Sequence, residues 1–168
     1  MEIVNFFERL AGKWFSQRTT HYLARKESRA GQSNLQIDFL GPDSSEVKQL
    51  ANDHSPLCGL RIEQDSRMSG DTQNVKSSSL VVVLADNDAE RGALRISQGS
   101  GVVLTGEFAL ENEVLIIRTP SANGDAEERL WFVTPNLRMR TSVVKVDDEV
   151  QLTSFCSEIR MGVARPAK

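Results

Sequence analysis

Arg138, Arg140 and Ser142 alternate along an extended run from Leu137 to Val146, so one face of that strand carries two guanidinium groups and a hydroxyl. The other face holds Leu137, Met139, Thr141 and Val143. In the preceding run Glu128 shares a face with Leu130 and Phe132, opposite Arg129, Trp131 and Val133. In the last run Leu152, Ser154, Cys156, Glu158 and Arg160 alternate against Thr153, Phe155, Ser157, Ile159 and Met161. Three consecutive strands thus interleave charge with hydrophobes. Two readings follow. The charges either lie on a solvated wall, in cross-strand pairs worth a few tenths of a kcal/mol each, or they face inward. Turned inward, two guanidinium groups offer planar, bidentate docking to two ligand carboxylates. A buried arginine pair without an anionic partner would be costly.

Other chemistry is thinly represented. His21 and His54 are far apart in sequence, and no serine or cysteine stands in the context of an activated nucleophile. Cys58 and Cys156 are spaced neither for zinc nor as a disulfide framework, and are expected to be reduced, buried side chains. Asp86-Asn87-Asp88 lacks the glycine and distal glutamate of a calcium loop and reads as a hairpin turn. No metal site is expected.

The elements that must position these residues are mostly strands. Candidate strands run over about Trp14–Ala24, Leu35–Leu40, Gly59–Met68, Val75–Ala85, Gly92–Ser97, Val102–Leu110, Val114–Thr119, Glu128–Thr134, Leu137–Val146 and Val150–Arg160. Turn chemistry separates them at Gly31-Gln32-Ser33-Asn34, Asn87-Asp88, Gln98-Gly99-Ser100-Gly101, Glu111-Asn112, Asn123-Gly124-Asp125, Pro135-Asn136 and Asp147-Asp148. Leu80 to Leu84 is apolar on both faces and predicts a strand buried on both sides. Ile3, Phe6, Phe7 and Leu10 fall at helical spacing before a Gly12 stop, predicting a capping helix over 2–10. A second helix is predicted over Pro42–Ala51, with Val47, Leu50 and Ala51 as its apolar stripe, covering a sheet edge or a barrel mouth. A meander of about ten strands must remove its edges, and closure into an all-β antiparallel barrel does so. At eight to ten strands such a barrel has room for a ligand. Trp14, just after Gly12, is placed to plug its floor.

Composition bounds the rest. The chain has 168 residues, 39% of them hydrophobic and 26% charged, with a net charge of -3. One domain over 1–161 is expected, with 162–168 as a tail. There is no dense basic run, which disfavours nucleic acid as a partner. No long apolar run predicts a membrane span, and no secretory pattern opens the chain, so a soluble, intracellular protein is expected.

Four segments resemble the S/U-type phycobiliprotein lyases, a likeness that covers nearly the whole chain. They are Ala11-Gly12-Lys13-Trp14-Phe15-Ser16-Gln17-Arg18-Thr19, Glu127-Glu128-Arg129-Leu130-Trp131-Phe132, Pro135-Asn136-Leu137-Arg138-Met139-Arg140-Thr141-Ser142 and Ser154-Phe155-Cys156-Ser157-Glu158-Ile159-Arg160. The resemblance implies a lipocalin-like, fatty-acid-binding-protein-like barrel that binds an open-chain bilin, phycocyanobilin or phycoerythrobilin. It implies transfer of that bilin to a cysteine of a phycobiliprotein α or β subunit, with no permanent cofactor. It favours the inward reading, with Glu128, Glu158 and Arg138 as the catalytic set. Arg18, His21, Met68, Arg138, Arg140 and Ser142 become the bilin contacts. Arg18 shares parity with Trp14 whereas His21 does not, so both point inward only if the strand is bulged. A homodimer, or a heterodimer with a homologous subunit, is a further implication. So is residence in a cyanobacterial cytoplasm or an algal plastid stroma. The chain departs from the family over 62–73, where many members place tryptophan and this one has none. Only Trp14 and Trp131 occur. That keeps two other roles open, a partner subunit inactive alone and a carrier of bilin or another amphiphilic carboxylate.

Overall fold

The computed structural model describes residues 2–99, 101–121 and 124–162. It contains helix α1 (Ile3–Arg9), strands β1 (Gly12–Tyr22) and β2 (Glu27–Leu40), helix α2 (Ser45–Ala51), and strands β3 (Pro56–Met68), β4 (Val75–Ala85), β5 (Arg91–Ser97), β6 (Val103–Glu111), β7 (Val114–Ser121), β8 (Gly124–Thr134), β9 (Leu137–Val146) and β10 (Glu149–Met161). Each strand pairs antiparallel with its neighbours in sequence, and β1 pairs with β10 to close the barrel. The expected fold class is the one observed. The tail expected over 162–168 lies outside the described residues except for Gly162, as do Ser100 and Asn123 of two expected turns.

One expected turn is wrong. Gly31-Gln32-Ser33-Asn34 lies in the middle of β2, with Gly31 paired to Arg18 on one side and Met68 on the other. Glycine beside polar residues looks like turn punctuation, but partners on both sides hold this segment extended. The true β1–β2 connection is 23–26, where Lys26 supplies the left-handed residue at φ 51°. Glu111-Asn112 and Asp147-Asp148 do fall at hairpin tips, with positive φ at Asn112, Glu113, Asp147 and Asp148.

The barrel interior is divided along its axis. At one end α1 inserts Ile3, Phe6 and Phe7 among Leu35, Leu60, Leu94, Phe108 and Leu115, all buried. Phe6 stacks edge-on against Phe132 at 5.4 Å and Phe7 against Phe108 at 6.0 Å. Burial of each such ring is worth about 1.5–3 kcal/mol. The cap expected over 2–10 is therefore a plug seated in the core. Gly12 then turns the chain into β1 at φ 129°, and a Cβ there would stand 2.5 Å from Arg160 Nη1. Toward the opposite end the inward positions become polar.

The second helix also covers something other than expected. Closure leaves no sheet edge, and α2 lies on the outer wall of β3 and β4, burying Val47 and Ala51 against Val82 and Leu84. This explains the two-faced run in β4: Val83 faces the core and Val82 faces the helix, both 0% exposed. Close approach is possible because residue 59 is glycine. A Cβ there would sit 2.6 Å from Val47 Cγ2 and 3.2 Å from the Val81 carbonyl oxygen. Gly59→Val is expected to cost about 1–3 kcal/mol by overpacking and to speed amide exchange in 45–51, read by thermal melting and hydrogen exchange. A variant with wild-type stability and exchange would show that the helix is not seated there.

Candidate functional site

Strand β1 runs without a bulge between β10 and β2, so parity holds along its length. Trp14, Ser16 and Thr20 are buried inside, and Arg18 and Tyr22 share that inward side. Register then builds rows around the interior. Ser16 lies opposite Glu158, which lies opposite Arg138. One step toward the open end, Arg18 lies opposite Cys156, opposite Arg140. One step further, Thr20, Ser154, Ser142 and Glu128 follow one another across four strands.

These rows enclose a cavity of about 550 Å³ lined by Arg18, Thr20, Tyr22, Gln64, Met68, Glu128, Arg140, Ser142, Leu152, Ser154 and Cys156. Five expected site residues, Arg18, Met68, Glu128, Arg140 and Ser142, meet in it. Arg18 Nη2 reaches Met68 Sδ at 3.8 Å across Gly31, and Arg18 Nε is buried without a hydrogen-bond partner. Tyr22 is the one aromatic ring in the lining.

Glu158 and Arg138 lie outside that lining and are nearly wholly buried, at 0% and 3% exposure. Arg138 Nε donates to Glu158 Oε1 at 2.9 Å, and Arg140 Nη2 donates to Oε2 at 3.5 Å. Burial by itself would push the Glu158 carboxyl up. The guanidinium groups of Arg140 and Arg138, with hydrogen bonds from Ser16 and Arg138, outweigh it and hold the group below the ordinary carboxylate range. Burial lowers Arg138 to about 10, against the opposing pull of Glu158. Arg140 shifts the other way: burial opposes its charge, but Glu158 and then Glu128 outweigh it and hold the guanidinium protonated. Arg138 also lies 4.2 Å above the Trp14 ring, with Arg160 at 4.3 Å from the same ring. Trp14 Nε1 donates to the Leu10 carbonyl at 2.9 Å, and Arg160 donates to the carbonyls of Ala11 and Arg9. The tryptophan is thus fixed in the plugged end, away from the cavity lining.

Two expectations need correction. His21 is exposed on the outer face, its Nδ1 2.7 Å from Ser28 Oγ, because the unbulged strand cannot turn it in beside Arg18. Arg138 and Arg140 do not form a matched pair at the cavity, since Glu158 and Trp14 claim the first and only the second lines the space. Thr20, Tyr22 and Gln64 join the lining without having been expected there, whereas Leu152, Ser154 and Cys156 share the expected face of Glu158. The parity of Trp14 pointed to the first two, whereas Gln64 needed the register of β3. Burial alone pushes the Cys58 thiol up to about 12, so it stays protonated.

This row of inward charge belongs to a chain whose residues 2–161 match the model of the CpeS-like proteins. The chain is a CpeS-like family member. Among its relatives, Chromophore lyase CpcS/CpeS of Thermosynechococcus vestitus is 37% identical, with 99% of this chain and 97% of that protein covered. Phycocyanobilin lyase subunit CpcS of Picosynechococcus is 30% identical over 93% of this chain and 84% of its own length. The S-type phycobiliprotein lyase of Guillardia theta has a solved structure that superposes with a TM-score of 0.85 at 28% identity, covering 98% and 95% of the two chains. The CpeS-like barrel described above is therefore shared, from the plug helix to β10. No helix among the described residues is long and apolar enough to cross a membrane.

Proposed function

We propose that this CpeS-like protein is a phycobiliprotein chromophore lyase that takes an open-chain bilin into its barrel and directs it to a cysteine of a phycobiliprotein α or β subunit. The observation that carries the reading is the meeting of Arg18, Arg140 and Glu128 in one cavity at the unplugged end, with Arg18 Nε lacking a partner. The cavity volume falls in the range of about 300–1,000 Å³ usual for small-molecule sites. Arg18 and Arg140 dock the two propionates by charge-assisted hydrogen bonds. Glu128 accepts from the pyrrole N–H groups and favours their protonated state. Glu158 and Arg138 position Arg140 from behind, and Met68 gives a soft contact to the pigment.

The bond-forming step needs no cysteine of this chain. The acceptor's thiol adds to the exocyclic ethylidene of ring A, so that a carbon–sulfur bond forms and the thiol proton passes to the adjacent ring carbon. Protonation of the pigment raises the electrophilicity of the exocyclic carbon that the sulfur attacks. The barrel contributes orientation and shields the pigment from side reactions. The bilin is substrate and no permanent cofactor is required. The acceptor sets the compartment, a cyanobacterial cytoplasm or an algal plastid stroma.

Purified protein mixed with phycocyanobilin or phycoerythrobilin is expected to shift and sharpen the pigment's absorption. Adding the apo-phycobiliprotein subunit is expected to yield acid-stable, covalently coloured product. Unchanged spectra with both pigments would overturn the reading. A second role, as the partner subunit of a two-chain lyase, is favoured by the lack of tryptophan over 62–73. Tight pigment binding with ligation only after a homologous subunit is supplied would establish it. Fatty-acid binding that excludes bilin would make the protein a carrier.

A further inference from the structure

The α1 plug fixes which end of the barrel a second molecule can reach. Ile3, Phe6 and Phe7 fill the interior beside the starts of β1 and β9, so traffic to the cavity passes the turns at the opposite end. Tyr22 opposite Leu152 is the last inward row of β1 and β10 there, and both line the cavity. Turns facing water are ordinarily built from small and polar residues. Here Leu23, Val75, Val102 and Val103 stand 46%, 66%, 57% and 41% exposed, in or beside the β1–β2, β3–β4 and β5–β6 turns. None of the four packs into either hydrophobic cluster of the barrel. Charge on the same rim is segregated. The Leu23 N–H donates to the Gln151 carbonyl at 3.0 Å, which ties the β1–β2 turn beside the start of β10. Arg25 and Lys26 stand exposed on the β1–β2 side, Arg25 3.9 Å from Glu27 and 4.4 Å above the Tyr22 ring. Asp147, Asp148 and Glu149 are consecutive exposed carboxylates on the β9–β10 side, and none forms a salt bridge among the described residues. Lys145, two residues back, stands opposite Asp125 on the outer wall.

We infer that this rim is the docking face for the thiol-bearing acceptor subunit, with Leu23, Val75, Val102 and Val103 closing on apolar surface around the acceptor's cysteine. The choice of occupant rests on the lyase reading. A thiol that is to meet pigment held in the cavity must arrive at the unplugged end, and Leu23 directly follows the cavity-lining Tyr22. The apolar collar is thus continuous with the site it serves. Apolar contact around the mouth also excludes water from the carbon that the sulfur attacks. The charged tips specify the rest of the partner's surface: basic where it meets Asp147, Asp148 and Glu149, acidic where it meets Arg25 and Lys26. Opposite signs on neighbouring tips admit one orientation and oppose the reversed one, in which like charges meet. A membrane surface fits less well, because three adjacent carboxylates are repelled by anionic headgroups.

Calorimetry of the full chain, with and without phycocyanobilin, against an apo-phycobiliprotein subunit whose acceptor cysteine is replaced by serine reads docking without turnover. Leu23→Asp and, separately, Val102→Asp are each expected to weaken that binding by roughly 10-fold or more, with melting temperature and pigment absorption kept. Asparagine tolerates the left-handed backbone at φ 52° and 63°, so Asp147→Asn combined with Asp148→Asn removes charge without strain. That double variant is expected to lose roughly 3- to 10-fold in affinity at low salt and nothing measurable at about 1 M salt. Glu113→Asn, which removes a carboxylate from a turn at the plugged end, is the reference. In turnover with the unmodified acceptor, the Leu23 and Val102 variants are expected to raise KM for the acceptor and leave kcat unchanged. A wild-type chain that does not bind the subunit overturns the inference. So does wild-type binding by both collar variants, or an equal loss in Glu113→Asn. If the collar variants instead release the chain from lipid vesicles while subunit binding holds, the rim is a membrane face and the inference is wrong. Failure of the lyase reading shows separately, as unchanged bilin spectra and no coloured product in a chain that still binds the subunit through this rim.

Discussion

Glu158→Gln is expected to lower the stability of the barrel by about 3–5 kcal/mol, the usual result of removing one partner from a buried ion pair. For a chain of this size that is a fall of roughly 6–20 °C in melting temperature. The reason is local. Glu158 is 0% exposed and its two oxygens accept from Arg138 and Arg140, so the neutral amide removes the counter-charge of Arg138 and leaves Arg140 with Glu128 alone. The loss depends on pH with a definite sign. The folded-state carboxyl of Glu158 is held below its ordinary value of 4.5. Its contribution is therefore fully present above that ordinary value and is lost as pH falls through the lower, folded value. Urea denaturation of both proteins between neutral pH and about pH 3 is expected to show a constant gap that narrows only below about 4.5. A gap under 1 kcal/mol at neutral pH would mean that water reaches the pair.

Arg140→Ala is expected to weaken bilin binding by about 10- to 150-fold, the equivalent of a charge-assisted hydrogen bond of about 1.5–3 kcal/mol. Arg138→Ala is expected to do the reverse, costing more stability than affinity, because its Nε is bonded to Glu158 and its guanidinium lies over the Trp14 ring, outside the cavity lining. Arg129→Ala serves as the reference, since that side chain is on the outer face in an exposed pair with Glu127. Absorption titration with phycocyanobilin, run beside thermal melts, separates the three. Arg138→Ala with the larger affinity loss at wild-type stability would restore the two arginines as equivalent ligand contacts. Equal losses from all three would mean that the pigment is not held in this cavity.

The contrast between these two arginines also marks where the chain's pattern stops being informative. Alternation placed Arg138, Arg140 and Ser142 on one face and Glu158 on the matching face of the last strand, because side-chain direction in a strand has period two. The same rule flagged the conflict between Arg18 and His21. It could not resolve it, since a single bulge would have reversed the answer; the continuous pairing of β1 with both neighbours did. Depth along the barrel axis was also out of reach. Whether an inward arginine meets open space or a tryptophan ring depends on which residue of another strand shares its row.

The sequence by itself determined the class of fold, the β4 run buried on both faces, and which charges share one face, all of which follow from local periodicity; that this face turns inward was implied by the family resemblance. Tertiary structure decided the rest. Pairing on both sides turned an apparent turn at Gly31 into mid-strand, and closure moved α2 from an edge to an outer wall. The axial position of the α1 plug left a cavity only toward the far end. These are relations between segments distant in the chain, set by register and by which surfaces find cover, and no window of consecutive residues contains them.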